Sequence, residues 1–189
     1  MMAMAVLHPE TVLDRSAEIH IWREATTVFM TAGHGGCGPY GLALAAARRG
    51  FGVHVYAQTG PRLFVDTVRD SRKKEVIELV EADSRASLAQ MRDAQFETGP
   101  VSPERIVEHL RAGRVPVVLT SLWRMQGQRG PHWVVVVGFD GQVFRILDPI
   151  APASGLDPGI SVSLDEFRRI SRYGRRRHTA AVVLQRKSS

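Results

Sequence analysis

The sequence predicts an α+β fold in a single domain, and three observations predict it. Helix patterns dominate the first half, short Val-rich runs of strand length dominate the second, and no internal repeat or Pro/Gly/Ser-rich linker divides them. Residues 1–189 should therefore share one core, with short flexible ends at about 1–15 and 186–189. Taken in order, residues 18–30 (EIHIWREATTVFM) alternate polar and apolar near their start and are rich in β-formers, which suggests an extended segment. After a glycine-rich stretch, Tyr40 to Arg49 (YGLALAAARR) reads as a thin, buried helix opened by Pro39 and stopped by Gly50. VHVYA at 53–57 reads as a strand. Residues 72–93 read as a long amphipathic helix with Val76, Leu79, Val80 and Ala86 on one side. Ser102-Pro103 opens a further helix that Gly113 closes.

Val115 to Leu122 and His132 to Phe139 are β-branched runs too short for buried helices, so they read as central strands. Val143 to Leu147 follows Asp140-Gly141, a hairpin signal. Ser163-Leu164-Asp165-Glu166 is a capping box, and Ala180 to Gln185 supplies a last strand.

Composition narrows the function classes. The chain has 189 residues, 44% apolar and 23% charged, which is the balance of a folded protein. It shows no apolar run of membrane-spanning length and no secretory signal pattern, and its one cysteine cannot form an internal disulfide; a cytoplasmic, membrane-free setting is expected. A net charge of +6 favours acidic partners. Much of that charge lies in Arg168, Arg169, Arg172 and Arg175 to Arg177, read as a solvated face or as a docking surface for an acidic carrier or peptide. Without interleaved aromatics, nucleic acid is not the expected partner.

The chemistry centres on Gly36-Cys37-Gly38-Pro39. A cysteine at a helix N-terminus meets unsatisfied N–H groups and the positive end of the helix dipole, which favour thiolate and can hold an oxyanion. A thiolate nucleophile needs a base. Of seven histidines only His132 begins a strongly predicted strand, with Trp133 beside it to shield a site. Asp148 ends the next strand, where a carboxylate can accept the Nδ1–H and orient the ring. Side-chain alternation makes a demand here, because the two can meet only if the hairpin register puts them on one face. A three-residue loop with a left-handed Gly141 would set them directly opposite, with Cβ atoms about 4.5–5.5 Å apart. Buried structural Cys and ordinary strand-end His are the competing readings. His34 and Cys37 do not make a metal set, since a closed site needs four ligands; no metal or cofactor is expected. The glycine-rich stretch lacks the Lys-Ser/Thr of a phosphate loop.

GHGGCGPYGLALAA, PHWVVVVGFDG with ILDP, and more loosely EFRRISRYGRRRHTAAVVL together resemble papain-like cysteine peptidases of the bacteriocin-processing, double-glycine-leader type, especially their free-standing bacterial relatives. The resemblance covers about Glu18 to Gln185. It implies a papain-like fold in which an N-terminal central helix carrying the cysteine packs on a mainly antiparallel sheet. It also implies Cys37 as nucleophile, His132 as base and Asp148 as orienter. Those peptidases place a glutamine six residues before the cysteine; here Thr31 stands there, so Thr31, Gly36, Gly38 and Trp133 are the expected oxyanion and substrate-binding set. The expected function is acyl transfer through a thioester, giving a peptidase or amidohydrolase acting on a peptide or acyl-donor substrate. The alternatives are an amide-forming acyltransferase or ligase with the same triad, and a non-catalytic peptide-binding module.

Overall fold

The computed structural model describes residues 1–11, 14–26, 36–128, 130–150 and 159–187. Helices α1 (Met2–Leu7), α2 (Arg15–Ala25) and α3 (Pro39–Ala47) precede strand β1 (Phe51–Ala57), helix α4 (Ser71–Ala89), strand β2 (Ala94–Thr98) and helix α5 (Pro103–Arg111). Then come β3 (Val115–Ser121), the short helix α6 (Leu122–Gln126), β4 (Pro131–Phe139), β5 (Val143–Leu147), β6 (Gly159–Ser163), α7 (Leu164–Ile170) and β7 (Ala180–Arg186). The result is an α+β architecture around one sheet of seven strands, in the order β2-β1-β7-β3-β4-β5-β6. Among the described strands only the β1/β2 pair is parallel.

Strand alternation builds two cores. One face sends Val53, Val55, Val182 and Leu184 against α3, whose alanines bring helix and sheet close together. The other sends Tyr56, Val134, Val136, Phe144 and Ile146 against Ile106 of α5 and Phe167 of α7. Helix α3 is wrapped on all sides, and the fit is tight enough that a Cβ on Gly41 would lie 2.5 Å from the Ala25 carbonyl oxygen at the end of α2. No helix among the described residues is long and apolar enough to cross a membrane.

Several expectations need correction. Residues 15–25 are helical, not extended, because Asp14 caps the segment by accepting a hydrogen bond from Ala17 N–H. Met2–Leu7, expected as part of a flexible end, is a helix with Ala3, Met4 and Leu7 buried in the α3 core. The long helix α4 turns a different face inward: Ile77, Glu81, Ser84 and Leu88 form its buried stripe, while Leu79 is 66% exposed. Strands β2 and β6 and helix α6 were not anticipated; β2 and β6 are the sheet's edges, where apolar alternation is weakest.

The hairpin joining β4 and β5 also differs in detail. Asp140 Oδ1 accepts hydrogen bonds from Gln142 N–H and Val143 N–H, and Gly141 has a φ of +109°. Phe139 pairs with Phe144, so the turn itself brings opposite parities together. A bulge between Val136 and Gly138 then shifts the register, and beyond it Val136 pairs with Ile146 and Val135 with Leu147. The extra residue thus lies within β4, not at Gly141, and it leaves His132 and Asp148 on one face as diagonal neighbours instead of directly opposed ones.

Candidate functional site

Cys37 sits immediately before Gly38, the N-cap of α3, and is held from two directions. It forms an isolated antiparallel bridge with Thr26 at the end of α2, and Thr26 Oγ1 lies 3.9 Å from its Sγ. From the sheet, Trp133 donates its indole N–H to the Cys37 carbonyl at 3.0 Å. Cys37 thus opens on a largely apolar cleft of about 630 Å³ whose walls include Trp22, Trp133, Val135, Asp148 and Pro149.

His132 and Asp148 are both buried and meet directly, His132 Nε2 standing 2.7 Å from Asp148 Oδ1. The carboxylate is fully engaged: Oδ1 also accepts from Ile150 N–H at 2.9 Å, and Oδ2 accepts from Gln126 Nε2 at 3.3 Å. Asp148 therefore takes the Nε2 proton, not the Nδ1 proton expected from sequence. An imidazole that donates from Nε2 presents an Nδ1 lone pair, which is the base a thiol needs. In this state Cys37 and His132 are not hydrogen-bonded to each other; the thiol's partner is Thr26.

Behind the cysteine lies a carboxyl that sequence reading missed. Glu81, in the middle of the buried stripe of α4, reaches the N-terminus of α3 and accepts from Tyr40 N–H at 3.3 Å. It does the capping that Gly38, with no side chain, cannot do. Its Oε1 is buried without a hydrogen-bond partner, and desolvation raises its pKa to about 7. A Cβ on Gly38 would lie 1.9 Å from that oxygen, so glycine is what admits the carboxyl.

The thiol's electrostatics reverse the expectation of a low pKa. Burial pushes the Cys37 thiol up, the Thr26 hydroxyl pulls the other way, and the Glu81 carboxylate adds to the rise. Among the described residues no imidazole bonds to Sγ to offset them. Of the expected oxyanion set, Gly36 leaves open space beside the cysteine, Gly38 serves Glu81, and Trp133 anchors the cysteine backbone. Thr31, like His34, lies outside the described residues. Among the described residues no three His, Cys, Asp or Glu side chains gather where they could hold a metal ion. Thr26, Glu81 and Gln126 are the neighbours that sequence reading missed. Only Glu81 carried a signal, as an acidic residue at helical spacing between Ile77, Ser84 and Leu88.

No curated protein and no solved structure matches the chain. A family model described as Peptidase_C39 like family matches residues 1–185, nearly the full length and including Cys37, His132 and Asp148. On that match the chain belongs to the Peptidase_C39-like family.

Proposed function

We propose that the protein is a papain-like cysteine enzyme that transfers acyl groups through a thioester on Cys37, with water as the usual acceptor, so that it cleaves a peptide or amide bond. The observation that carries this reading is the buried His132–Asp148 pair at 2.7 Å, with Asp148 in the wall of the cleft on which Cys37 opens. Asp148 fixes the tautomer, and His132 Nδ1 is the acceptor of the thiol proton; since the register puts His132 on the face of Thr120 and Val134 while Trp133 and Val135 face the cysteine, the transfer requires the start of β4 to turn as well as Sγ to leave Thr26. The sulfur then attacks the acyl carbon, and the imidazolium returns the proton to the leaving amine. Water, deprotonated by His132, attacks the thioester and releases the acid and the free thiol. Pro39 has no N–H and that of Tyr40 is held by Glu81, so the Gly38 N–H just ahead of α3 and the Thr31 hydroxyl are the proposed oxyanion donors. An amide-forming ligase would differ only in an amine taking the place of water.

Intact-mass measurement tests this reading. Incubation with peptide or thioester acyl donors should add one acyl group to the wild type and none to Cys37→Ala. Product analysis with and without added amines separates hydrolysis from ligation. Turnover that survives Cys37→Ala would overturn the reading.

A further inference from the structure

Beside the ends of β3 and β4 is a second cavity, of about 780 Å³, within the size range of small-molecule sites. Arg124, Arg172, Arg175 and Arg176 line it together with the aromatic residues Trp123 and Tyr173. We propose that it binds the phosphorylated head of the acyl donor, a diphosphate attached to an aromatic base. The connection to the acyl donor rests on the function proposed above; the anion site itself does not.

The first argument is charge. Arg168, on α7, is neutralised by Glu104 and Asp165, and Arg176 by Asp66 at 3.0 Å. Among the described residues Arg124, Arg172 and Arg175 have no carboxylate partner and Asp66 is the only acidic group in the cavity on which they converge. Guanidinium groups match phosphate oxygens in pairs, which ammonium groups do not.

The second argument is independent of charge. His178 is 3% exposed and lines the cavity, yet neither ring nitrogen has a hydrogen-bond partner. Asp66 Oδ2 stands 3.7 Å from its Nε2, too far for a hydrogen bond, because Arg176 holds that carboxylate. Asp66 occupies the place of an external anion. A phosphate that takes over Arg176 releases Asp66 to the buried Nε2 of His178.

The third argument is shape. The Tyr173–His178 bridge, with reciprocal backbone hydrogen bonds of 2.8 Å, closes a hairpin tip that displays Arg175 and Arg176. Trp123 lines the same cavity and is 62% exposed, a stacking surface for a base. The cavity lies next to the proposed chemistry: Gly130 in its wall is two residues from His132, and Ser121 pairs with Pro131. Trp133, which binds the Cys37 carbonyl, packs in the same apolar cluster as Tyr173.

The test is calorimetric titration of Cys37→Ala protein with ADP, pyrophosphate and adenosine at low and high salt. ADP should bind, more weakly at high salt, and Arg124→Ala/Arg175→Ala should weaken it at least about tenfold. Trp123→Ala should weaken ADP and leave pyrophosphate unchanged. Equal ADP affinity in wild-type and double-variant backgrounds would overturn the site, as would an oligonucleotide that binds these arginines more tightly than ADP. Since the titrated protein has no nucleophile, failure of the catalytic reading leaves this result intact. In wild-type protein, ADP should slow acylation of Cys37 by a thioester bearing the same head, and the absence of competition would sever the cavity from the acyl donor.

Discussion

His132 Nε2 and Asp148 Oδ1 are 2.7 Å apart although the β4/β5 ladder does not set the two residues opposite each other. The bulge between Val136 and Gly138 gives them a common face, and Ile150 N–H and Gln126 hold the carboxylate against the ring. Asp148→Asn is isosteric and can present an amide N–H where the imidazole needs an acceptor. Turnover should fall by about 10³–10⁴-fold with the fold retained. Single-turnover acylation followed by intact mass, with circular dichroism as the control, checks it.

The thiol itself should titrate above the ordinary cysteine range in the free protein, since burial and Glu81 both raise its pKa. Iodoacetamide labelling at neutral pH should therefore be slower than that of a model thiol and should accelerate in alkali. Thr26→Val removes a contact that lowers the pKa and should move the profile further up. Glu81→Gln should move it down. A labelling profile indifferent to both changes would refute this electrostatic account.

Glu81 also makes stability depend on pH. Its pKa is raised from 4.5 to about 7 on folding, so the folded state holds the proton more tightly than the unfolded one. The contribution is present in full below about pH 4.5 and is lost as pH rises towards 7. The whole loss is about 3 kcal/mol as an order of magnitude. Glu81→Gln should flatten urea-denaturation midpoints across that window and make the variant the more stable protein above it.

A tight approach predicts coupling between two positions. Gly38→Ala puts a methyl group 1.9 Å from Glu81 Oε1 and should cost about 1–3 kcal/mol. In the background of Glu81→Ala the same change should be nearly free. A double-mutant cycle by chemical denaturation reads the difference, and additive effects would show that the glycine serves some other purpose.

Much of this architecture was legible from residue order. Pro39 and Gly50 bracket α3, Ser102 and Ser163 cap their helices, and β5 runs from Val143 to Leu147 as its flanking turn implies. His132 and Asp148 could be paired from sequence because a hairpin is local, and parity is a yes-or-no constraint. The bulge was not legible. It falls inside the run Val134 to Val137, where identical side chains give no clue to which one is extra. The inward face of α4 was misread because its stripe contains the polar Glu81 and Ser84, and Glu81 is buried where it meets the Tyr40 N–H of α3. Thr26 and Gln126 escaped for a similar reason: each reaches its target across sequence gaps that carry no periodicity.

Strand β7 lies between β1 and β3, and among the seven strands it is the last in the chain. Until Ala180 to Arg186 is available, the part holding Cys37 and the part holding His132 have no strand in common. Because β7 is the one strand that pairs with both β1 and β3, deleting Ala180 to Arg186 splits the sheet in two between the Cys37 side and the His132 side.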